Sequence, residues 1–218
     1  MSLLLHSYWR ATAPYRVRIG LCLKELAFDY APINLLKNEQ GAAPYKDLYN
    51  RQALVPALTA DGEVLTQSLA ILEWLDETYP DPPLLPKSPR DRAIVRAMAE
   101  IVACDIHPLN NLRILKALDA LGHPTGGEDQ QAWGSRWIAD GFAALEPMVA
   151  KHGGGFSFGE TPTIADCVLI PQLWSSSRFA VDMTPFPALS AVAARAAQHP
   201  AFQAVHPDRQ PDKPENLG

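Results

Sequence analysis

The sequence lacks the features that attach a protein to a membrane or mark it for export. No apolar run approaches the roughly 18 residues that a membrane-spanning helix needs. The opening Met-Ser-Leu-Leu-Leu-His has neither a basic segment nor a sustained apolar segment, so we expect no signal peptide. These absences favour a cytoplasmic protein without a membrane partner.

Basic residues and cysteines are also scarce. The 19 lysines and arginines are outnumbered by 24 aspartates and glutamates, and the net charge of −5 argues against nucleic acid as a partner. An acidic chain that binds an acidic ligand must therefore concentrate arginine locally. Cys22, Cys104 and Cys167 are isolated and odd in number, which indicates neither a disulfide framework nor a metal site. We expect three buried thiols in a reducing compartment.

Two halves of the chain follow different hydrophobic patterns. Short apolar segments at 3–6 and 28–33 predict strands, with a helix between them over 14–26. The turn sequence at 60–63 predicts a hairpin, and residues 68–78 show helical spacing. This order of elements predicts a small α/β sandwich.

After residue 80 the strand signals stop. Residues 80–89 form a stiff proline-rich linker. Helices are then expected over 90–121, 128–151, 163–178 and 188–198. Pro108 should kink the first of these helices, because it lacks an N–H donor and crowds the carbonyl group of Cys104. The polar tail from Pro207 is expected to be poorly ordered in isolation.

Three short motifs in the first half are suited to an anionic, peptide-like ligand. Residues 10–18 open a helix directly after the first strand, and helix N-termini attract anions. Val55-Pro56 precedes the hairpin; a cis proline would present the Val55 backbone to an extended ligand, and the alternative is an ordinary edge-strand proline. Ser68, preceded by Gln67, opens the next helix as a simple N-cap or as a carboxylate-binding nest.

The second half carries polar residues inside apolar helical patterns. His107, Asn110 and Asn111 are spaced i, i+3, i+4 and would share one helix face, which either lines a cleft or meets solvent. Thr163 and Asp166 have the spacing of a capping box, so we assign Asp166 a structural role rather than a catalytic one.

Three arginines complete the set of candidates: Arg10, Arg113 and Arg178. Each alone is typical of a protein surface. Guanidinium groups, however, bind carboxylates in a bidentate manner. Together the three would supply the local positive charge that an acidic ligand requires.

In this order the motifs resemble those of the cytosolic glutathione transferases, most closely the zeta class, which includes maleylacetoacetate isomerase and the bacterial maleylpyruvate isomerases. The resemblance covers nearly the whole chain and is carried by Tyr8-Trp9-Arg10, Tyr15-Arg16-Val17-Arg18-Ile19, Leu54-Val55-Pro56, Gln67-Ser68-Leu69-Ala70-Ile71, Asp105-Ile106-His107-Pro108-Leu109-Asn110-Asn111, Thr163-Ile164-Ala165-Asp166, Arg178-Phe179 and Val181-Asp182-Met183-Thr184-Pro185-Phe186-Pro187. It implies a thioredoxin-like α/β glutathione-binding domain over 1–81, a linker over 82–88, an all-helical substrate-binding domain over 89–218, and a homodimer.

The resemblance also implies roles for the site residues. Glutathione, the cofactor, would be bound by six residues: Val55, Pro56, Gln67, Ser68, His107 and Asn110. The carboxylates of a small anionic dicarboxylate substrate would be bound by three arginines facing an inter-domain cleft: Arg10, Arg113 and Arg178.

The implied reaction is a cis–trans isomerisation. The glutathione thiolate adds to the cis double bond of a maleyl keto acid, the resulting single bond rotates, and glutathione leaves as the fumaryl product forms. The class usually has a Ser-Ser-Cys run at the first turn, whereas this chain has Ala-Thr-Ala at 11–13. Thr12 supplies the hydroxyl that remains there and is assigned to catalysis with Arg10, with Ser7 and Tyr8 as alternatives.

We therefore expect a glutathione-dependent isomerase of maleylacetoacetate or maleylpyruvate in aromatic amino-acid or aromatic-acid catabolism. The alternative is a general glutathione transferase or dehalogenase that conjugates small electrophiles such as α-haloacids, which the three arginines disfavour. A non-catalytic interaction module is a further alternative. Such a module would not need Val55-Pro56 and Gln67-Ser68.

Overall fold

The computed structural model describes residues 2–123 and 127–215, and the chain divides into two compact units. The first unit contains Met1–Leu84 and Gln198–Gly218, and the second contains Leu85–Ala197. The C-terminal segment therefore groups in space with the N-terminal sheet, although the sequence-based division assigns it to the helical domain.

A four-stranded sheet forms the centre of the first unit, in the order β2-β1-β3-β4. Its strands are β1 (Leu3–Ser7), β2 (Asp29–Pro32), β3 (Ala57–Ala60) and β4 (Glu63–Thr66). Strand β2 is parallel to β1, whereas β3 is antiparallel to both β1 and β4. The hairpin between β3 and β4 lies at the predicted turn.

Three helices accompany the sheet: α1 (Thr12–Leu23), α2 (Ala43–Leu48) and α3 (Ser68–Thr78). Helix α1 is buried on most of its surface and packs against α3. The two helices approach closely at Gly20, where an added Cβ would collide with the Leu72 side chain. Together the sheet and these helices confirm the predicted α/β half.

A buried ion pair joins the ends of α1 and α3. Lys24 Nζ donates to Asp76 Oδ1 at 2.9 Å and to the carbonyl oxygens of Tyr79 and Pro82 at 2.6 and 2.7 Å. The Leu84 N–H donates to the same Asp76 oxygen at 2.6 Å. The pair therefore ties both helices to the proline-rich segment that follows them.

Helices build the second unit: α4 (Pro89–Glu100), α5 (Leu112–Ala120), α6 (Gly127–His152), α7 (Ile164–Ser176) and α8 (Pro187–Ala196). The all-helical prediction for this half is confirmed. None of the helices in the described ranges combines the length and the apolar character that crossing a bilayer requires.

The single long helix predicted over 90–121 is wrong. Helix α4 ends at Glu100, a π-helical segment follows over Ile101–Ile106, and α5 begins only at Leu112. The His107 N–H donates to the Val102 carbonyl at 2.9 Å, five residues back, directly before Pro108, which has no N–H to continue the pattern. The chain breaks here instead of kinking.

The capping box at the start of α7 is confirmed. The Thr163 N–H donates to Asp166 Oδ2 and the Ser157 N–H donates to Oδ1, both at 2.7 Å. Complete burial raises the pKa of the Asp166 carboxyl group, against the opposing effect of these hydrogen bonds. Both carboxylate oxygens are thus committed to holding the backbone.

The three thiols differ in their exposure. Cys167 is buried and Cys22 is half-buried, but Cys104 is exposed. The prediction of three buried thiols is therefore confirmed for Cys167 alone, and it is wrong for Cys104, which lies at an exposed position of the π-helical segment.

The C-terminal tail packs on the first unit over its described residues, which extend to residue 215. Helix α9 (Pro200–Ala204) packs against α1, and a short 3-10 helix follows over Pro207–Arg209. Asp212 then accepts a hydrogen bond from the Trp9 N–H at 3.0 Å. The tail was expected to be poorly ordered because its own sequence is polar, but its contacts are made with distant residues.

Candidate active site

One end of the sheet collects the three motifs of the first half. In the strand register, His6 lies opposite Ala57, and Ala57 lies opposite Thr66. The chain therefore leaves β1, enters β3 and leaves β4 at the same end of the sheet. The segments at that end are the ones predicted to bind the ligand: 8–12, 55–56 and 67–68.

The first of these segments ends in the N-terminus of α1. The helix begins at Thr12, slightly earlier than the predicted Pro14, and Ala11 is its N-cap with φ −74° and ψ 127°. Ala11 has no side chain that can cap the helix, so N–H groups of the first turn remain available to an anionic ligand. Thr12 is 8% exposed at this N-terminus.

The alternative hydroxyl at Ser7 is engaged within the protein. Ser7 is completely buried, and its Oγ accepts a hydrogen bond from Arg18 Nη1 at 2.9 Å. The Tyr30 phenol lies on its other side. Tyr8, the second alternative, is also buried. Thr12 is therefore better placed than Ser7 to meet a ligand at the helix N-terminus.

Two charged side chains hold the turn between β1 and α1. Arg18 Nη2 donates to the Trp9 carbonyl at 2.9 Å, and Nη1 also contacts the Tyr8 carbonyl at 3.4 Å. Asp212 accepts from the Trp9 N–H at 3.0 Å and from the Tyr30 hydroxyl at 2.7 Å. Burial lowers the pKa of Arg18 to about 10, a value that leaves it charged at neutral pH.

The second segment presents the backbone of Val55. The Val55-Pro56 bond is cis, and β3 is paired on both sides, so the edge-strand alternative is wrong. The preceding Leu54 carbonyl accepts from Tyr45 Oη at 2.7 Å and Asn50 Nδ2 at 2.9 Å, which fixes the loop. No described residue hydrogen-bonds to the N–H or C=O of Val55. These two groups fit an extended peptide such as glutathione.

The third segment differs from the prediction in its cap. Gln67 holds the N-cap position with φ 67° and ψ 113°, so the assignment of Ser68 as N-cap is wrong; Ser68 is the first helical residue. A positive φ at a non-glycine residue costs about 1–3 kcal/mol, and such backbone is concentrated at functional turns. Arg16 Nη1 donates to the buried Ser68 Oγ at 3.2 Å, and its charge adds to the positive potential of the α3 N-terminus.

The polar residues predicted in the second unit do not share a helix face. His107 closes the π-helical segment, and Asn110 lies in the turn that follows. Asn111 is extended, with φ −71° and ψ 142°, and caps α5 by accepting the Arg113 N–H at 3.1 Å. The predicted helix face is not continuous, because the chain is extended at Asn111 and this residue does not continue the helical backbone that precedes it.

The three candidate arginines are divided between the units. Arg10 lies in the first unit with its guanidinium carbon 5.9 Å from the centre of the Trp9 ring. Arg113 and Arg178 lie exposed in the second unit, and Arg178 is 5.7 Å from the Phe179 ring.

The supporting roles of Arg16, Arg18 and Asp212 were not predicted from the sequence. The two α1 arginines gave a signal, because they are charged residues in a mostly apolar segment, and both are buried there with their neighbours. Asp212 gave none, since its partner Trp9 lies 203 positions away in the chain.

Comparison with known proteins decides the family. Residues 11–83 match the family described as Glutathione S-transferase, N-terminal domain, and residues 131–206 match Glutathione S-transferase, C-terminal domain. The chain belongs to the glutathione S-transferase family. This transferase is 46% identical over 213 residues to a maleylpyruvate isomerase of Ralstonia sp, covering 95% of this chain and 98% of the relative. It is 44% identical over 213 residues to a maleylacetoacetate isomerase of Pseudomonas aeruginosa, covering 96% and 98%.

Solved structures agree with this assignment. The holo structure of a maleylpyruvate isomerase, described as a bacterial zeta-class glutathione S-transferase, matches the transferase with a TM-score of 0.92 and 45% identity over 97% of this chain and 100% of that one. A maleylacetoacetate isomerase of Anaeromyxobacter dehalogenans with bound glutathione matches with a TM-score of 0.87 and 45% identity, covering 98% of each chain. The predicted zeta-class resemblance and its two-part architecture are confirmed.

Proposed function

We propose that this zeta-class transferase is a glutathione-dependent cis–trans isomerase of a maleyl keto acid, either maleylacetoacetate or maleylpyruvate. One observation carries the proposal. At one end of the sheet, the N–H and C=O groups of Val55, which have no described hydrogen-bond partner, lie at the same end as the N-termini of α1 and α3. The names of the relatives favour isomerisation over the alternative of a general transferase or dehalogenase.

The residues at the sheet end fit glutathione. The N–H and C=O groups of Val55, positioned by Pro56, would pair with the peptide backbone of the ligand, and the α3 N-terminus at Gln67 and Ser68 would bind a carboxylate. Glutathione, when bound, supplies a thiolate for reversible addition to a carbon–carbon double bond. His107 and Asn110 are proposed to assist its binding, a role supported by the resemblance alone.

The chain's own contribution to the reaction is electrostatic. The α1 N-terminus favours an anionic sulfur over a thiol, and Thr12 would donate a hydrogen bond to it. Arg10, Arg113 and Arg178 are proposed to bind the substrate carboxylates and to stabilise the charge that develops next to them. Arg18 would contribute indirectly, because its hydrogen bond to the Trp9 carbonyl fixes the position of the neighbouring Arg10.

The decisive experiment mixes the protein with glutathione and each maleyl acid and follows the absorbance change as fumaryl product forms. We expect turnover that requires glutathione without consuming it. Absence of turnover, with glutathione binding intact, would refute the isomerase proposal. Net loss of glutathione with an α-haloacid, in the same preparation, would support the dehalogenase alternative.

The role of Thr12 is tested by two matched variants. Thr12→Val keeps the shape of the side chain and removes the hydroxyl, and we expect a fall in kcat of about 10²-fold, the typical effect of one lost donor. Thr12→Ser keeps the hydroxyl and should retain most of the activity. If Thr12→Val were as active as Thr12→Ser, the Thr12 hydroxyl would have no role in the reaction.

A homodimer and a cytoplasmic location are part of the same proposal, supported by the zeta-class membership. Light scattering on the purified protein tests the dimer, and a monomeric mass with full activity would contradict it.

A further inference from the structure

The turn that carries Arg10 is fixed at the backbone of the residue before it. The Trp9 carbonyl accepts from Arg18 Nη2 at 2.9 Å, and the Trp9 N–H donates to Asp212 Oδ2 at 3.0 Å. The Ala11 N–H then donates to the Tyr8 carbonyl at 3.0 Å and closes the turn. Both backbone groups of Trp9 are therefore held by charged side chains, one from α1 and one from the C-terminal tail.

The Asp212 carboxylate also balances a buried charge. Its second oxygen accepts from the Tyr30 hydroxyl at 2.7 Å, and the Tyr30 phenol lies beside Ser7, which accepts from Arg18 at 2.9 Å. Burial, reinforced by the hydrogen bond to Asp212, raises the pKa of Tyr30 well above its ordinary value, so the phenol stays protonated and donates. The buried Arg18 and the carboxylate thus face each other across two hydroxyl groups.

The tail has local structure that delivers this carboxylate. Lys213 Nζ donates to Asp208 Oδ1 at 2.7 Å, and Gln210 Nε2 donates to the His206 carbonyl at 3.0 Å. The His206 ring lies edge-on to Tyr15 of α1, with ring centres 6.3 Å apart. Asp212 therefore reaches the turn from a folded segment that rests on α1.

We propose that Asp212 is a positioning residue for the reaction: it holds the Trp9 backbone so that Arg10 and Thr12 face the reacting groups. This inference rests on the proposed function. The described hydrogen bonds of the Asp212 side chain are with Trp9 in the turn after β1 and with Tyr30 of β2, and none is with Val55 or Ser68. Loss of Asp212 should therefore impair activation of the thiol and leave glutathione affinity largely intact.

The test compares Asp212→Ala and Asp212→Asn with Asp208→Asn, a control in the same tail that keeps an acceptor oxygen for Lys213 and whose described hydrogen bond and ion pairs do not reach Trp9. We expect Asp212→Ala to lower kcat by about tenfold or more, with KM for glutathione changed less than about twofold. Asp212→Asn keeps one acceptor oxygen and should lie between wild type and Asp212→Ala. Asp208→Asn should match wild type.

A second measurement separates this inference from the isomerase proposal. The pH at which bound glutathione ionises, followed by thiolate absorbance, should rise in Asp212→Ala because the helix N-terminus and Thr12 are displaced from the sulfur. If wild type shows no isomerisation, the proposed function fails, and this titration still decides the role of Asp212. An unchanged titration and kcat, or equal losses in Asp208→Asn, would overturn the inference.

Discussion

Replacement of Lys24 by methionine should destabilise the first unit strongly. Lys24 Nζ uses its three protons on Asp76, Tyr79 and Pro82, at 2.9, 2.6 and 2.7 Å, and its side chain is 0% exposed. Methionine fills the aliphatic volume but leaves the 8% exposed Asp76 carboxylate with the Leu84 N–H as its remaining described donor. Removing one partner of a buried ion pair costs about 3–5 kcal/mol, and we expect a loss in that range.

Denaturant unfolding measures this loss. The free energy of unfolding follows from linear extrapolation of the urea dependence of tryptophan fluorescence, with Trp74 on α3 as a reporter near the pair. Lys87→Met, an exposed lysine in the proline-rich segment, is the matched control and should change stability by less than about 0.5 kcal/mol. Asp76→Asn should cost less than Lys24→Met, about 1–3 kcal/mol, because its carbonyl can still accept from Leu84. A loss below about 1 kcal/mol for Lys24→Met would refute the reasoning.

Two further predictions concern the first and the second unit, respectively. Burial lowers the pKa of His6, so the folded protein binds fewer protons than the unfolded chain and loses stability as pH falls below about 6.5. His6→Phe should reduce this pH dependence and still pack on Tyr49, whose ring centre is 3.9 Å from that of His6. Unfolding midpoints at several pH values measure the effect. An unchanged dependence of the midpoint on pH would contradict the prediction. Ala180→Gly should stabilise by about 0.5–1 kcal/mol because Ala180 has φ 50°, whereas the same change at the exposed helical Ala194 should destabilise by about 1 kcal/mol. Urea unfolding of both variants measures the difference, and shifts of the same sign would be inconsistent with backbone strain at Ala180.

Local sequence information was sufficient for the elements whose shape depends on local chemistry. The hairpin follows from a turn sequence between two apolar segments, and α3 follows from helical spacing. The capping box of α7 was predictable because Thr163 and Asp166 contact each other over three residues. At the candidate site, the cis bond at Val55-Pro56 was one of two alternatives that the sequence left open, and pairing of β3 on both sides excludes the edge-strand alternative.

The break after α4 could not be predicted from the local pattern. Apolar residues continue at helical spacing through 101–106, and proline alone is compatible with a kink or a termination. Packing helps to fix the actual path, because Ile106 occupies the space at Gly141 of α6, where an added Cβ would collide with it. That contact joins residues 35 positions apart, a separation that no window of sequence reveals.

The contact between Trp9 and Asp212 also has a consequence for the order in which the protein matures during translation. The strands and helices of the sheet end emerge from the ribosome early, but the carboxylate that accepts the Trp9 N–H is synthesised 203 positions after Trp9. A nascent chain released before residue 212 would have the sheet without the full support of its first turn. Competence of the site is thus tied to translation through residue 212, and products truncated before it are expected to be defective catalysts even when they fold.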